Sequence, residues 1–409
     1  MANKVFILGG YQTDFSRNIT REGLALYDLF HEVLNTGLAQ TQLNAEEIQV
    51  GHVGNFVSEL YTGQAHLGGF FAHVDLGFLG MPAARHEAAC ASGSIAILAA
   101  MADIEAGRYD AACVLGIEVM RNVKGDQAAE YLRPAAWADK EAMDTALVWP
   151  NLFSRLVEEY DQRYGIDAAH LAAISAKNFA NGRKNPNAQA RIWQFNATSF
   201  TANDEHNPLV FGRLRKQDCG QISDGAAVIF LANEEKARAY ARRMDVSLES
   251  IPYIKGWGHR TAMMLLEDKL AASQNQEYIF PQVKHTFDDA FRRAQLPGMA
   301  AIDGLETHDC FNITEYMAID HSGLTPAGQA YRAIEDGTVY LGGKLPINAS
   351  GGLIGLGHPV GATGVRMLLD CYKQVTANAG DYQINGAKTM MAFNVGGSAT
   401  TCCSFIVGK

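Results

Sequence analysis

Twice in this chain an extended stretch runs through a turn of small residues into a helix, and then out into an apolar strand. The first unit is Ala83 to Ala89, Cys90, the helix-forming run Ile95 to Ile104 stopped by Gly107, and the strand Ala111 to Val119. The second is the glycine-rich turn Asn348 to Gly364, the helix Gly364 to Val375 and the strand Thr389 to Phe393. A duplicated strand–helix unit brings its two strand-to-helix turns together near a pseudo-twofold axis. One of these turns bears Cys90 and the other His358, so the two side chains are expected to meet.

The surrounding pattern fits the same plan. Lys4 to Leu8 and Val50 to Phe56 read as strands, Leu24 to Leu38 and Ala65 to Val74 as helical. In the second half Ser250 to Trp257 and Gly304 to Phe311 read as strands around a helix at Val283 to Ala294. Strands alternating with helices predict an α/β fold of two duplicated halves. Each half is expected to hold a mixed, mostly parallel five-stranded sheet, layered α-β-α-β-α. The rhythm breaks between Met120 and Ser223, a charged and aromatic segment with helical pieces at Leu152 to Tyr164 and Ala168 to Asn181. It is too long for a loop and reads as an inserted substrate-contact domain. The expected division is residues 1–119 plus 223–246, the insert 120–222, and residues 247–409.

Composition narrows the function classes. A net charge of -10 argues against nucleic acid or an anionic membrane as the main partner. The run Val5 to Leu8 is too short for a signal peptide, no stretch approaches a membrane span, and the last residues, Ile406 to Lys409, carry no peroxisomal address. A cytoplasmic protein is the expectation. The 7 cysteines lack metal-ligand spacing and are expected to be free thiols, with no metal bound.

Cys90 sits where an extended segment turns into a helix. Unpaired N–H groups and the helix dipole there are expected to lower its pKa toward the thiolate. The turn that carries His358 holds six glycines from Asn348 to Gly364, which lets backbone approach a ligand closely. Neither nucleotide-binding glycine pattern occurs in the right context. A histidine in such a turn, facing a cysteine, makes a base and a nucleophile.

With these motifs in hand the chain resembles the thiolase family over nearly its whole length. The resemblance rests on Ala89-Cys90-Ala91-Ser92-Gly93, on Gly357-His358-Pro359-Val360-Gly361-Ala362-Thr363-Gly364, and on Ser223-Asp224-Gly225-Ala226-Ala227. Two departures point to a subtype. His308-Asp309-Cys310-Phe311 stands where most thiolases have Asn-Glu-Ala-Phe, and Asn394-Val395-Gly396 stands where they have Cys-x-Gly. Both are similar to the sterol-carrier-protein-2 type thiolases, as are Trp149-Pro150 and Asn185 to Gln189. No lipid-carrier domain is expected after the last strand.

The resemblance implies an acyltransferase that cleaves 3-ketoacyl-CoA with CoA, or condenses acyl-CoA units. It implies Cys90 as acyl acceptor, His358 as its base, and Cys310 as the acid and base at the substrate carbon. It also implies two oxyanion sites, the N–H groups of Cys90 and Gly396 in one and His308 with His358 in the other, each donor worth roughly 3 kcal/mol. Glu118 is read either as a supporting partner of this site or as a surface carboxylate. The phosphorylated handle of coenzyme A needs basic partners, for which Arg183, Lys184, Arg213, Arg215 and Lys216 in the insert are candidates, with Ser350 in the glycine-rich turn. Met263, Met264 and Leu265 are read as plain core or as an acyl pocket lining. No tightly bound cofactor is expected, and a homodimer or tetramer is implied. The alternative reading is a CoA-binding scaffold subunit working with a small zinc-ribbon/OB-fold partner or an aldolase.

Overall fold

The computed structural model describes residues 4–409. Among the described residues eleven strands form: β1 Phe6–Gln12, β2 Val50–Gly54, β3 Ala83–His86, β4 Ala111–Glu118, β5 Leu209–Phe211, β6 Leu214–Arg215, β7 Gly225–Ala232, β8 Tyr253–Thr261, β9 Gly304–Thr307, β10 Thr389–Gly396 and β11 Thr401–Gly408. Nine of them make one sheet in the order β3-β2-β4-β7-β1-β8-β11-β10-β9, and β5 and β6 form a separate hairpin in the insert.

The order reads alike outward from the middle. β1 and β8 meet at the single register pair Phe6 and Tyr253, closed by the N–H of Ile7 on the Pro252 carbonyl and that of Ile254 on the Val5 carbonyl. On one side follow β7, β4, β2 and β3; on the other follow β11, β10 and β9. The fifth strand expected in the second half is reduced to one bridge, Leu305 with Ile347. Pairing is mixed. β3, β2 and β4 run parallel, as do β9 and β10, whereas β4–β7, β7–β1, β1–β8, β8–β11 and β11–β10 are antiparallel. The insert leaves β4 at Glu118 and returns into β7 at the facing Gly225, so these neighbours run antiparallel, a direction that an alternation of strands and helices does not encode.

Every residue of β4 and β7 is buried, which requires cover on both faces. Their side chains alternate between two cores. Cys113, Leu115, Val228 and Phe230 pack with Leu29, Phe30 and Val33 of the outer helix Leu26–Thr41. Ala112, Val114, Ile229 and Leu231 point the other way, into a core shared with the helices Ser92–Glu105 and Val360–Val375 and with Ala392, Cys403 and Phe405. The opposite face of β10 and β11, with Met391, Phe393 and Ile406, packs on Val283, Phe287 and Phe291 of the helix Pro281–Ala294. Helices and strands thus stack in five layers, as the strand periodicity of two demands.

The two inner helices touch backbone to backbone near their starts. A Cβ on Gly361 would lie 2.6 Å from the carbonyl oxygens of Gly54 and Ile117, and one on Gly364 would lie 2.4 Å from the amide nitrogen of Ser94. Only glycine allows that approach. The contact puts the turn bearing Cys90 beside the turn bearing His358.

Candidate active site

Cys90 lies in a short turn, Ala89–Ala91, ahead of the helix Ser92–Glu105. Ala89 is forced to φ 50, a left-handed conformation uncommon for a residue with a Cβ. The Ser92 hydroxyl holds the turn, accepting from the N–H of Ala88 at 3.0 Å and donating to the Ala89 carbonyl at 2.6 Å. The expectation of a lowered thiol pKa is corrected here. Burial pushes the Cys90 thiol up to about 12, and the backbone N–H groups of Gly397 and of Cys90 itself only partly oppose it. Desolvation of a thiolate in this apolar setting outweighs the helix start.

The N–H that faces the Cys90 sulfur is that of Gly397, next to the Gly396 expected as an oxyanion donor. Gly396 still belongs to the ladder, paired with Thr401, and a Cβ there would lie 2.2 Å from the Ala88 carbonyl oxygen. Gly397, at φ 63, has left the ladder and turns its N–H to the Cys90 sulfur.

His358 and His308 close on this thiol: Sγ of Cys90 and one ring nitrogen from each histidine lie within 4.8 Å of one another. The rings stand edge to face, with centroids 5.2 Å apart. Thr363 donates its hydroxyl to the Pro359 carbonyl at 3.0 Å, which leaves its oxygen to accept from Nδ1 of His358 at 2.6 Å. Nε2 of His358 is buried and unpartnered. With the hydrogen on Nδ1, Nε2 is a free proton acceptor. Burial, then the Arg366 charge, lower the His358 pKa to about 3, so the ring is neutral.

Cys310 and His308 belong to the loop that follows β9, where the expected strand Gly304 to Phe311 ends early, at Thr307. The Cys310 thiol is held well above its ordinary range, by burial first and then by Cys90 and Asp309. It packs with both the inner core and the core beneath the insert. The structure therefore brings Cys90, His358, His308 and Cys310 together.

Three carboxylates fix these loops. Glu118, left open between two readings above, is fully buried. It accepts from the N–H groups of Phe56, Val57 and Gly361 and from the Asn55 amide, at 2.9 to 3.2 Å. Asp224 accepts from the N–H groups of Ile19, Met120 and Arg121 at 2.7 to 2.9 Å, while the neighbouring Ser223 oxygen accepts from the His358 N–H at 2.8 Å. Asp309 ties its loop to the N–H groups of Leu353 and Ile354 and to the Asn178 amide of the insert.

The insert covers the site. Trp149 packs with both the Cys90 and the Cys310 clusters, and Phe153 stacks on Phe311 at 4.6 Å between centroids. Asn185 donates to the Ser350 carbonyl at 3.0 Å, and the N–H groups of Gln189 and Ala190 reach Leu356 and Gly355 at 2.8 and 3.1 Å.

The family comparisons agree with this geometry. Residues 5–235 match the model "Thiolase, N-terminal domain" and residues 266–409 match "Thiolase C-terminal domain-like". The chain belongs to the thiolase family. Membership makes it an enzyme that transfers acyl groups. It is 29% identical over 406 residues to the acetyl-CoA acetyltransferase of Methanothermobacter thermautotrophicus, covering 99% of both chains. It is 27% identical to the sterol carrier protein 2 of Bos taurus, covering 97% of this chain and 70% of the bovine protein. Among solved structures, the Ltp2-ChsH2(DUF35) aldolase superposes with a TM-score of 0.77 at 17% identity, covering 99% of this chain and 97% of the other.

As a thiolase the chain handles CoA thioesters, and the residues nominated for that ligand fare unequally. Ser350 is corrected: it is wholly buried, its hydroxyl donates to Glu306, and Arg366 donates to it at 3.2 Å. It supports the glycine-rich turn from behind. Arg215 reaches Asp204 at 2.7 Å and the Asn207 carbonyl at 2.8 Å; Arg183 reaches the Trp193 carbonyl at 3.0 Å and lies over the Phe195 ring. Arg213 pairs with Asp161 at 2.6 Å. Lys184 and Lys216 are exposed on the same insert. Met263 is exposed in the loop after β8.

Sequence reasoning missed Thr363, Gly397, Ser94 and the use made of Asn394. Thr363 was visible inside the quoted histidine motif, but its role depends on a ring orientation that spacing does not encode.

Proposed function

We propose that this thiolase cleaves 3-ketoacyl-CoA with free CoA, or runs the reverse condensation, through an acyl-Cys90 intermediate. The observation that carries the proposal is the meeting of the Cys90 sulfur with two neutral histidines, one with a buried, unpartnered Nε2. Because burial raises the thiol and lowers the imidazole, no ion pair stands ready between them. The proton passes from Sγ to Nε2 of His358 as sulfur bonds to the 3-keto carbon. The N–H groups of Cys90 and Gly397 take the developing oxyanion. The bond between C2 and C3 then breaks and its electron pair leaves as the acetyl-CoA enolate. The Cys310 thiol delivers its proton to that carbon, and His308 with His358 hold the enolate oxygen. Free CoA attacks the acyl-Cys90 carbonyl; its thiol proton passes to the Cys310 thiolate, and the proton held on Nε2 of His358 returns to the departing Cys90 sulfur, which restores all three groups.

The division into residues 1–119 with 223–246, an insert at 120–222, and 247–409 belongs to this proposal, supported by the strand order repeated about β1 and β8. Arg183, Lys184, Arg215 and Lys216 are proposed to meet the phosphorylated handle of CoA. A homodimer is proposed through β3, which pairs only with β2 and lies near the exposed Leu76 and Leu79. A tetramer would add a second contact. A role in lipid metabolism in the cytoplasm rests on the sequence reading. No described helix is long and apolar enough to cross a membrane.

One observation favours a second reading. The similar aldolase structure names a DUF35 partner, which supports a subunit that works with a small zinc-ribbon/OB-fold protein. Incubating the purified chain alone with acetoacetyl-CoA and CoA distinguishes the two. The expected result is acetyl-CoA formation with one acetyl group on Cys90 by mass. Absence of both turnover and acylation would overturn the acyl-Cys90 reading for the chain acting alone. Cys310→Ala is expected to acylate yet lose exchange of the acetyl-CoA α-proton, and normal exchange refutes the role given to Cys310.

A further inference from the structure

Asn394 is 2% exposed in β10, and its amide is held at both ends. Its Oδ1 accepts from the hydroxyl of Ser94, on the helix Ser92–Glu105, at 2.8 Å. That leaves Nδ2–H to donate to Nδ1 of His308 at 2.9 Å. His308 is anchored separately, its backbone N–H on the Phe393 carbonyl at 2.9 Å.

A neutral imidazole carries one N–H, and the group bonded to one nitrogen decides where the hydrogen sits. An amide N–H on Nδ1 requires a lone pair there, so the hydrogen lies on Nε2. His358 has the opposite arrangement, since the Thr363 oxygen takes its Nδ1–H and Nε2 keeps the lone pair. The two rings that meet at Cys90 thus offer unlike functions, His358 an acceptor and His308 a donor.

We infer that Asn394, braced by Ser94, is a positioning residue that keeps His308 in the Nε2–H tautomer, so that His308 donates a hydrogen bond to the enolate oxygen without giving up its proton. The proposal rests on the enolate role given to His308 above. It gives the asparagine in the Asn394-Val395-Gly396 motif a task within the same reaction. Asn394 itself touches no reacting atom.

The titratable and charged groups that face His308 are His358 and Arg366, with the Cys90 thiol within reach. Burial first, then the cost of a second proton beside His358 and the Arg366 charge, keep its pKa well below the ordinary histidine value, so the wild-type ring stays neutral through the usual assay range. Asn394→Asp changes that. A carboxylate would draw the hydrogen to Nδ1, so Nε2 remains a donor only while the ring is an imidazolium.

The test uses full-length protein labelled with 15N-histidine. In wild type, His308, assigned by its loss in His308→Asn, should show a bare Nδ1 and a protonated Nε2. Asn394→Ala should mix the tautomers and lower acetyl-CoA α-proton exchange ten- to a hundredfold, with Cys90 acylation changed less than threefold. Asn394→Asp should give exchange that falls as pH rises between 6 and 9, a limb absent from wild type. Should Asn394→Ala fail to fold, Ser94→Ala frees the amide to rotate and should mix the tautomers in its place. An unchanged tautomer in the alanine variants, or an Asn394→Asp profile matching wild type, overturns the inference. A changed tautomer with unchanged exchange overturns instead the enolate role of His308.

Discussion

Glu118→Gln tests how the helix that follows His358 is joined to the loop after β2. The carboxylate takes two donors on each oxygen: Phe56 and Gly361 on one, Asn55 and Val57 on the other. Burial raises its pKa from 4.5 to about 7, against the pull of those hydrogen bonds. A folded pKa above the unfolded one means that the fold prefers the protonated acid. The penalty for ionisation is therefore absent below pH 4.5, grows through the window from 4.5 to 7, and is complete above it. At ~1.4 kcal/mol for each tenfold change in proton affinity, it reaches about 3 kcal/mol. Glutamine cannot ionise and escapes that penalty. Its NH2 group, however, must face one pair of donors and orphan both, at about 1–3 kcal/mol each. The variant should be destabilised by roughly 2–6 kcal/mol at pH 5, and by about 3 kcal/mol less at pH 8. Urea unfolding followed by tryptophan fluorescence at a series of pH values measures the difference. A gap that stays constant from pH 5 to 8 would refute the reasoning, because Glu118 would then hold one charge state throughout.

Two further outcomes follow from the site. Thr363→Val removes the acceptor of the His358 Nδ1–H while keeping the side chain's shape, and should slow Cys90 acylation roughly tenfold or more at little cost in thermal stability; rapid-quench mass spectrometry reads the rate, and a change below twofold would contradict the assigned tautomer. Arg215→Ala should raise KM for CoA several-fold and leave KM for a pantetheine thioester, which lacks the phosphorylated handle, unchanged; equal effects on both would remove Arg215 from the binding surface.

Much of this could be read from residue order, and the remainder fails for identifiable reasons. The strands at Ala111 and Asp224 were legible because a buried strand is a short continuous apolar run, and the cysteine and histidine turns because small residues mark them. Ser250 to Trp257 and Gly304 to Phe311 were placed correctly but bounded wrongly, since β8 runs on to Thr261 and β9 stops at Thr307. β11 was not separated from the chain's tail. The helical pattern at Ala65 to Val74 breaks into two short turns, Leu67–Phe70 and Phe71–Val74. Which nitrogen of a histidine is free, whether Gly396 or Gly397 faces the sulfur, and whether Ser350 points at the ligand or away from it all depend on contacts between segments far apart in sequence. The thiol pKa was misjudged because a local feature, the helix start, was weighed without the burial that the whole fold imposes.

The glycines of the paired inner helices have a consequence beyond packing. Main chain meets main chain at Gly361 and Gly364, so the gap between Cys90 and His358 is set by atoms that every residue shares. Exchanging side chains elsewhere can polish or dull the chemistry but cannot stretch that gap. The spacing of Cys90 and His358 is thereby insulated from drift in side chains, while Trp149 and Phe153, which pack over the two turns from the far side, can change without moving it.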